Sequence, residues 1–455
     1  MISSDIFVMP DDVEEMDEQR LRKYIQKNDD LIEQRYKPLW NAYINDYEIF
    51  HKKPKARWKP DARLSINFAK AITDTFEGFF IGNPVRTHSD DPTVSAYVNY
   101  IGAYNDQETG DAELSRIVSI FGRGYELYYT DEEGMLCIAH LDPTDAFMVY
   151  DESIKPRPRY FVRVFQREDK RRYGSISDNY GVRYFALNSD EFWLTDWDPH
   201  LFNTVPANEF VLNEARRGLY EDSLHNIDMY NETVSEKAND VSYFADSYMK
   251  ITGAELDEKT INYMRDNRII NFEARNAQDV DIDFLAKPNG DATQEHLLDR
   301  LEKKIFTVSN VINMDDDHAF ATTSGEALKY KLLNMMNLFK TKERFFAAGL
   351  HRRYKILFGN PVSKVSADSW TTLSFTFTPN TPSDLSEELD AVSKGVGIVS
   401  QRTLLKMVSA VDDVDKEMEE IKKEQAKETE YETEYETKRT KTELEKKKEE
   451  KEIDE

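Results

Sequence analysis

Two runs of carboxylates are the densest chemistry in the sequence. Asp315-Asp316-Asp317-His318 places three carboxylates and an imidazole in consecutive positions, and Asp279, Asp281 and Asp283 alternate with Val280 and Ile282, which puts all three on one face of a strand. Oxygen ligands of this kind bind hard divalent cations, and a pair of such ions is what a metal-dependent nuclease uses to clamp the attacking and leaving oxygens. The rest of that machinery is missing. No Glu-x-Lys element or His-containing metal motif stands nearby, and the triple-Asp run has the alternation of an ordinary exposed strand. The eight histidines are scattered without a His-x-x-x-His pair, and neither a nucleophile elbow nor a Walker A loop occurs. The reading is therefore non-enzymatic, with no catalytic residue, cofactor or metal site assigned, and any energy-driven step falls to a partner ATPase.

The first acidic run sits where a loose segment meets a rigid one. Asn313-Met314-Asp315-Asp316-Asp317-His318 leads into Thr323-Ser324-Gly325-Glu326, in which Thr323 and Glu326 have capping-box spacing. Behind the cap, Ala327, Leu328, Leu332, Met335, Met336, Phe339, Phe346, Leu350, Tyr354 and Leu357 recur at helical spacing until Gly359-Asn360-Pro361 supplies a stop. A helix of about 35 residues is roughly 50 Å long at ~1.5 Å per residue. The pattern predicts a mobile loop on a long beam.

Composition bounds the rest. A chain of 455 residues with 40% hydrophobic and 12% aromatic residues can bury a sizeable core and fill several domains or one elongated protomer. A formal charge of −26 excludes a simple nucleic-acid clamp, which needs clustered Lys and Arg. Cys137 is the only cysteine, so no intrachain disulfide or thiolate metal site forms. The N-terminus lacks a signal-peptide pattern and no apolar run approaches membrane-spanning length, so a soluble cytosolic protein is expected.

Along the chain, Asp11 to Asn28 and Asp30 to Asn45 read as two amphipathic helices, followed by a basic loop from His51 to Pro60 that is expected to touch neighbouring acidic surface. Helices are predicted from Leu64 to Phe80 and from Asp111 to Phe121, the second capped by Gly122, with Gly124 in a turn. Tyr125 to Tyr129 and Met135 to Leu141 form a hairpin, and further strands are expected at Ala146 to Tyr150, Arg159 to Gln166, Gly181 to Leu187 and Phe192 to Thr195. From Asp222, Ile227, Tyr230, Val234, Ala238, Val241, Ala245 and Tyr248 make a helical seam, with Asp228, Glu232, Glu236 and Asp240 on other faces. A compact insert from Gly253 to Pro288 separates it from a second helix, Ala292 to Ser309.

Several blocks then carry a resemblance. Asn67-Phe68-Ala69-Lys70 with Gly78-Phe79-Phe80-Ile81-Gly82-Asn83-Pro84, Gly122-Arg123-Gly124-Tyr125-Glu126-Leu127-Tyr128, and Leu141-Asp142-Pro143-Thr144 with Val149-Tyr150-Asp151 come first. Ser324-Gly325-Glu326-Ala327-Leu328-Lys329 and Ser400-Gln401-Arg402-Thr403-Leu404-Leu405 with Val411-Asp412-Asp413 follow. By their order and spacing over roughly residues 40 to 425, the chain resembles the portal proteins of tailed bacteriophages, of the gp6-like family typified by phage SPP1.

The resemblance implies an α+β chain, mainly helical, with small β-sheets and a long wing helix, assembled as a dodecameric ring at one capsid vertex through which double-stranded DNA is packaged and ejected. It implies a wing over residues 1–221 and 323–394, stem helices over 222–252 and 289–309, a clip over 253–288, a tunnel loop over 310–322 and a crown over 395–425. The tunnel loop would present Asn313, Asp315, Asp316, Asp317 and His318, and the clip would present Asp257, Glu258, Asp279, Asp281 and Asp283 to partners. Those partners would be further copies of the chain, the terminase large subunit, a head-completion adaptor, and the major capsid and scaffold proteins, in the virion and, during assembly, in the host cytoplasm.

Physics supplies a reason for such a loop. A polyanion slides only past weak, interchangeable contacts, which acidic and amide side chains give and arginine or lysine would not. The same carboxylates repel when copies converge on an axis, over a screening length of roughly 8 to 10 Å, so the loop stays mobile. Beyond Ala426 the chain is dominated by Glu and Lys, including Glu430-Tyr431-Glu432-Thr433-Glu434-Tyr435-Glu436-Thr437, and reads as disorder or a fraying single helix. The rival readings are a metal-dependent nuclease and another head-to-tail connector, for which the insert between two helices has no role.

Overall fold

The computed structural model describes residues 5–56, 59–169, 171–187, 192–245, 249–252, 259, 281–284, 291–314, 330, 332–381, 385–405, 408, 411, 414 and 416–427. It divides into two compact units, residues 1–380 and 381–455. The described elements are α+β, with helices the larger share, small and mostly antiparallel sheets and no closed barrel. Among the described residues no helix is long and apolar enough to cross a membrane.

The first unit begins with a short strand β1 (Phe7–Val8) and helix α1 (Glu18–Leu31), which starts where Asp17 accepts the Arg20 N–H. Asp11 to Asp17 lies outside the helix. No break follows at Asn28 to Asp30: one wide π turn, Ile32–Tyr36, joins α1 directly to α2 (Lys37–Tyr43). That turn re-aims the apolar stripe, because Leu21 and Ile25 are buried under a β-sheet while Tyr36 and Leu39 are buried among helices. Asp29, which falls between the two expected helices, lies within α1 and is ion-paired to Arg172 of the sheet at 2.7 Å.

Next come a short α3 (Glu48–His51) and α4 (Phe68–Phe80), capped by Asn67, which accepts the Lys70 N–H. β2 (Arg86–His88) leads to α5 (Pro92–Tyr104), a helix with Asp91 as its cap and Pro92 in its first turn. α6 (Gln107–Phe121) ends at Gly122, whose φ of 79° is left-handed. A Cβ on Gly122 would meet the Arg216 carbonyl oxygen at 2.1 Å, so glycine is required on both counts. Gly124 lies inside the following strand β3 (Arg123–Thr130) rather than in a turn.

β3 pairs with β4 (Leu136–Leu141) as the predicted hairpin. β5 (Ala146–Tyr150), β6 (Pro158–Gln166), β7 (Arg172–Ser177), β8 (Gly181–Leu187), β9 (Phe192–Leu194) and β10 (Asp198–Pro199) follow, and β11 (Ala207–Val211) returns to the other edge of β3. One sheet has the order β1-β5-β6-β7-β8-β10, with β9 also on β8; a second has the order β11-β3-β4. β7 escapes the sequence pattern because Gly174 and Ser175 weaken its alternation, and β11 because Asn208 and Glu209 are polar yet inward.

α7 (Leu224–Ala245) and α8 (Asp291–Ser309) flank a two-stranded sheet of β12 (Met249–Thr252) and β13 (Asp281–Phe284). α9 (Leu333–Phe358) ends at Gly359-Asn360-Pro361, as the stop signal requires; the capping residues Thr323 to Glu326 lie outside the described residues. Ala367–Thr372 coils into 3-10 turns, and the short strand β14 (Ser374–Thr376) behind it pairs with β2. In the second unit, α10 (Leu385–Gly395) and α11 (Gln401–Leu405) pack closely enough that a Cβ on Gly395 would meet Leu404, and residues 416–427 are helical.

α9 is the axis of the main core. Met335, Phe339, Phe346, Leu350 and Leu357 are buried on it, and Phe339 and Phe346 meet Phe80 of α4 edge-on at 5.3 and 5.9 Å. Two cations lie on the same buried stripe. Lys342 Nζ reaches Glu77 Oε1 at 2.5 Å, Ser115 Oγ at 2.7 Å and Ser119 Oγ at 2.9 Å. Burial pushes the Lys342 pKa down and Glu77 opposes it. Arg353 donates through Nη2 to Glu126 Oε1 at 2.6 Å and through Nε to Glu126 Oε2 at 3.0 Å, and it also bonds Asp111.

Burial raises the Glu126 pKa, but the Arg353 guanidinium and a bond from His140 outweigh it and hold the carboxyl at about 2. A folded-state pKa below the ordinary 4.5 contributes stability that is complete above that value and is lost as pH falls towards 2. The unfolding free energy of the native protein, from urea titration, should therefore fall as pH drops through this window, by an amount on the order of 3 kcal/mol from this group. In Glu126→Gln that share of the slope should vanish; an unchanged pH profile would refute the assignment.

Candidate functional site

α7 and α8 form an antiparallel pair. Ser223, just ahead of α7, donates to the Ile305 carbonyl near the end of α8 at 3.2 Å, while Lys237 far along α7 is ion-paired to Glu295 near the start of α8. The seam holds Ile227, Tyr230, Leu298 and Ile305, with Val234 and Leu301 beside it. Phe68 of α4 roots the pair, meeting Tyr230 at 4.9 Å and Phe306 at 5.8 Å, both edge-on. Val241, expected in the seam, is 63% exposed, and Met229, Leu297 and Val308 are also exposed.

The two ends of this pair differ. At the far end the chain passes from α7 to β12 and from β13 back to α8, with Thr252 opposite Asp281 and Lys250 opposite Asp283. Asp281 and Asp283 thus lie in β13, two positions apart; Asp257, Glu258 and Asp279 lie outside the described residues. At the near end, Asn310 adopts a φ of 57°, Val311 is buried in the main core, and Asn313 Nδ2 donates to Glu302 Oε1 of α8 at 2.8 Å. Asn313 is therefore tied back to α8. Asp315, Asp316, Asp317 and His318 lie outside the described residues.

A feature the sequence pattern hid braces α7. Asn231, Ser235 and Asn239 recur every fourth residue, and residues 62–66 run extended beside them. Asn239 Oδ1 accepts the Ala62 N–H at 2.6 Å, Ser235 Oγ the Leu64 N–H at 2.9 Å and Asn231 Oδ1 the Ile66 N–H at 2.8 Å. Four helical residues rise ~6 Å and two extended residues ~6.6 Å, so the two repeats stay in register. A polar helix stripe thereby replaces a neighbouring strand. This is why residues 62–66 are not part of α4, although their apolar residues suggested it. The basic loop before them lies on the acidic side of α7, with Lys52 on Glu232 at 2.6 Å and Lys55 on Glu236 at 2.7 Å.

The densest metal-capable set among the described residues is Asp111, Glu126 and His140, whose ligand atoms lie within 4.8 Å of one another. Arg353 is bonded to both carboxylates, so a guanidinium already supplies the positive charge that a metal would bring. A second buried network ties the sheets together: Arg216 on Glu209 at 2.9 Å and Tyr150 Oη on Glu209 at 2.5 Å. Arg35 in the π turn spans Asp5 and Glu221 at 2.7 and 2.8 Å. These arrangements position elements; none presents a nucleophile and base to a cavity.

The helix pair and the networks around it position structural elements, and the comparison with known families says which structural family this is. Residues 17–431 match the family described as phage portal protein, SPP1 Gp6-like, and the chain belongs to that family. It is 22% identical over 400 residues to the portal protein of Bacillus phage SPP1, covering 80% of this chain and 76% of that one. The family is a structural one of the phage capsid vertex.

The bracing has a direct consequence. Asn231→Ala with Asn239→Ala removes side-chain bonds worth about 1 kcal/mol each. Trypsin should then cut after Arg63 roughly thirtyfold faster, through local opening of the extended segment. Cleavage at the native rate would show that the segment is held by something else.

Proposed function

We propose that the chain is the subunit of a dodecameric ring that conducts double-stranded DNA into and out of a phage head. One observation carries this reading: an antiparallel helix pair, rooted on α4, has a two-stranded unit at one end and leads at the other into the acidic run Asp315-Asp316-Asp317. In this reading α7 and α8 are the stem, residues 253–288 the clip with Asp257, Glu258, Asp279, Asp281 and Asp283, and residues 310–322 the tunnel loop. Residues 1–221 and 323–394 are the wing, and 395–425 the crown facing the capsid interior. The clip meets the terminase large subunit during packaging and the head-completion adaptor afterwards, while scaffold and major capsid proteins surround the wing.

The exposed apolar residues Met229, Val241, Leu297 and Val308 on the helix pair support contacts between neighbouring copies, since apolar side chains gathered on one element gain by being covered. The acidic run supports sliding rather than gripping, because carboxylates offer phosphates no tight contact.

Electron-microscope images of the purified protein should show rings with a central hole. Replacing Asp315, Asp316 and Asp317 together by Lys should slow or stall packaging in a terminase-driven assay. Compact monomers would overturn the ring, and an unaltered rate and packaged length would overturn the role of the acidic run.

A further inference from the structure

Many surface cations of this acidic chain have a carboxylate partner: Lys52 with Glu232, Lys70 with Asp74, Arg172 with Asp29 and Arg217 with Asp222. One cavity departs from that rule. It measures about 1170 Å³ and lies between the β5–β6 turn and the C-terminal turns of α9. Lys155 and Arg157 line it from the turn, and Arg352 and Lys355 line it from α9. None of these four side chains makes a hydrogen bond or salt bridge with another described residue. Lys355 rests against the Trp370 ring, 5.4 Å from its centroid, and Arg157 lies close enough to Asp151 to help hold that carboxylate low.

The contrast along α9 is sharp. Arg353 points inward and is fully engaged by Glu126 and Asp111, whereas Arg352 beside it faces the cavity. Arg159, which also lines the cavity, is occupied by the carbonyls of Pro10, Val13 and Glu14. Four like charges converging on one concave space raise the local potential, and an anion from outside is what lowers it.

The composition of the walls selects among anions. Asp11, Asp151 and Asp368 also line the space, and fixed carboxylates repel a continuous phosphate backbone. Trp370 and Ile356 give it an apolar wall. Its volume exceeds the roughly 300–1,000 Å³ of ordinary small-ligand pockets, which suits a stretch of chain.

We propose that this cleft binds an acidic peptide segment of a partner protein. Its carboxylates lie on Lys155, Arg157, Arg352 and Lys355, and an apolar or aromatic side chain lies against Trp370 and Ile356. The proposal is independent of the ring and of DNA conduction, because it rests on the first unit alone.

The test is fluorescence anisotropy with the full-length chain and a labelled peptide of alternating glutamate and tyrosine. Binding should weaken as salt is raised, and should be lost when each glutamate of the peptide is replaced by glutamine. Lys155→Gln with Arg157→Gln, and separately Arg352→Gln with Lys355→Gln, should each weaken it roughly tenfold. Both pairs are surface side chains, so thermal melting should be unchanged. Equal affinity of both double variants and the native chain would overturn the proposal. So would displacement of the peptide by a single-stranded oligonucleotide as effective as the unlabelled peptide, which would make the cleft a nucleic-acid contact.

Discussion

The main core of the first unit is built on α9, and α9 is held in register by two buried cations. Lys342 has no exposure and Arg353 almost none, so each must find an anion inside the protein or be expelled. Glu77 comes from α4, Glu126 from β3 and Asp111 from α6, so the demand of two side chains fixes three elements around one helix. Such pairs add little net stability over apolar residues of the same size, but breaking one costs about 3–5 kcal/mol. Their effect is to exclude other registers of α9. Gly349 acts to the same end: a Cβ there would meet the Phe210 ring at 2.4 Å, and Asn208 bonds the Gly349 carbonyl.

From that anchored helix the load passes outward in steps. Phe80 of α4 packs on Phe339 and Phe346, and Phe68 at the other end of α4 packs on Tyr230 and Phe306 of the helix pair. The extended segment beside α7 then supports the pair from outside through Asn231, Ser235 and Asn239. A portal-family subunit that transmits force between its parts needs a continuous chain of this kind. Aromatic edges, buried ion pairs and side-chain-to-backbone bonds supply it without a disulfide.

Charge is arranged on a similar principle. The acidic excess of the chain is matched locally wherever a cation is buried or lies on α7, and four cations are left together in one cleft. An excess of positive over negative charge in a concave place is a recognition device, because it costs self-repulsion when empty.

Periodicity and turn chemistry were legible in the chain alone. The apolar stripe to Leu357 and its stop at Gly359-Asn360-Pro361, the Gly122 cap, the β3–β4 hairpin and the paired helices around an insert all follow from local spacing, because each is decided within a few residues. The portal family could likewise be named from the order of short blocks. Local spacing could not say where polar residues go when they turn inward. Lys342 and Arg353 sit in the gaps of the stripe, at i+3 from Phe339 and Leu350, and those gaps were the available signal. Only folding shows that Glu77, Glu126 and Asp111 fill them. The π turn that merges α1 and α2, the segment laid along Asn231, Ser235 and Asn239, and the four-cation cleft likewise exist only in three dimensions. The last two join residues that are from tens to hundreds of positions apart, and a buried or converging charge is specified by what surrounds it in space.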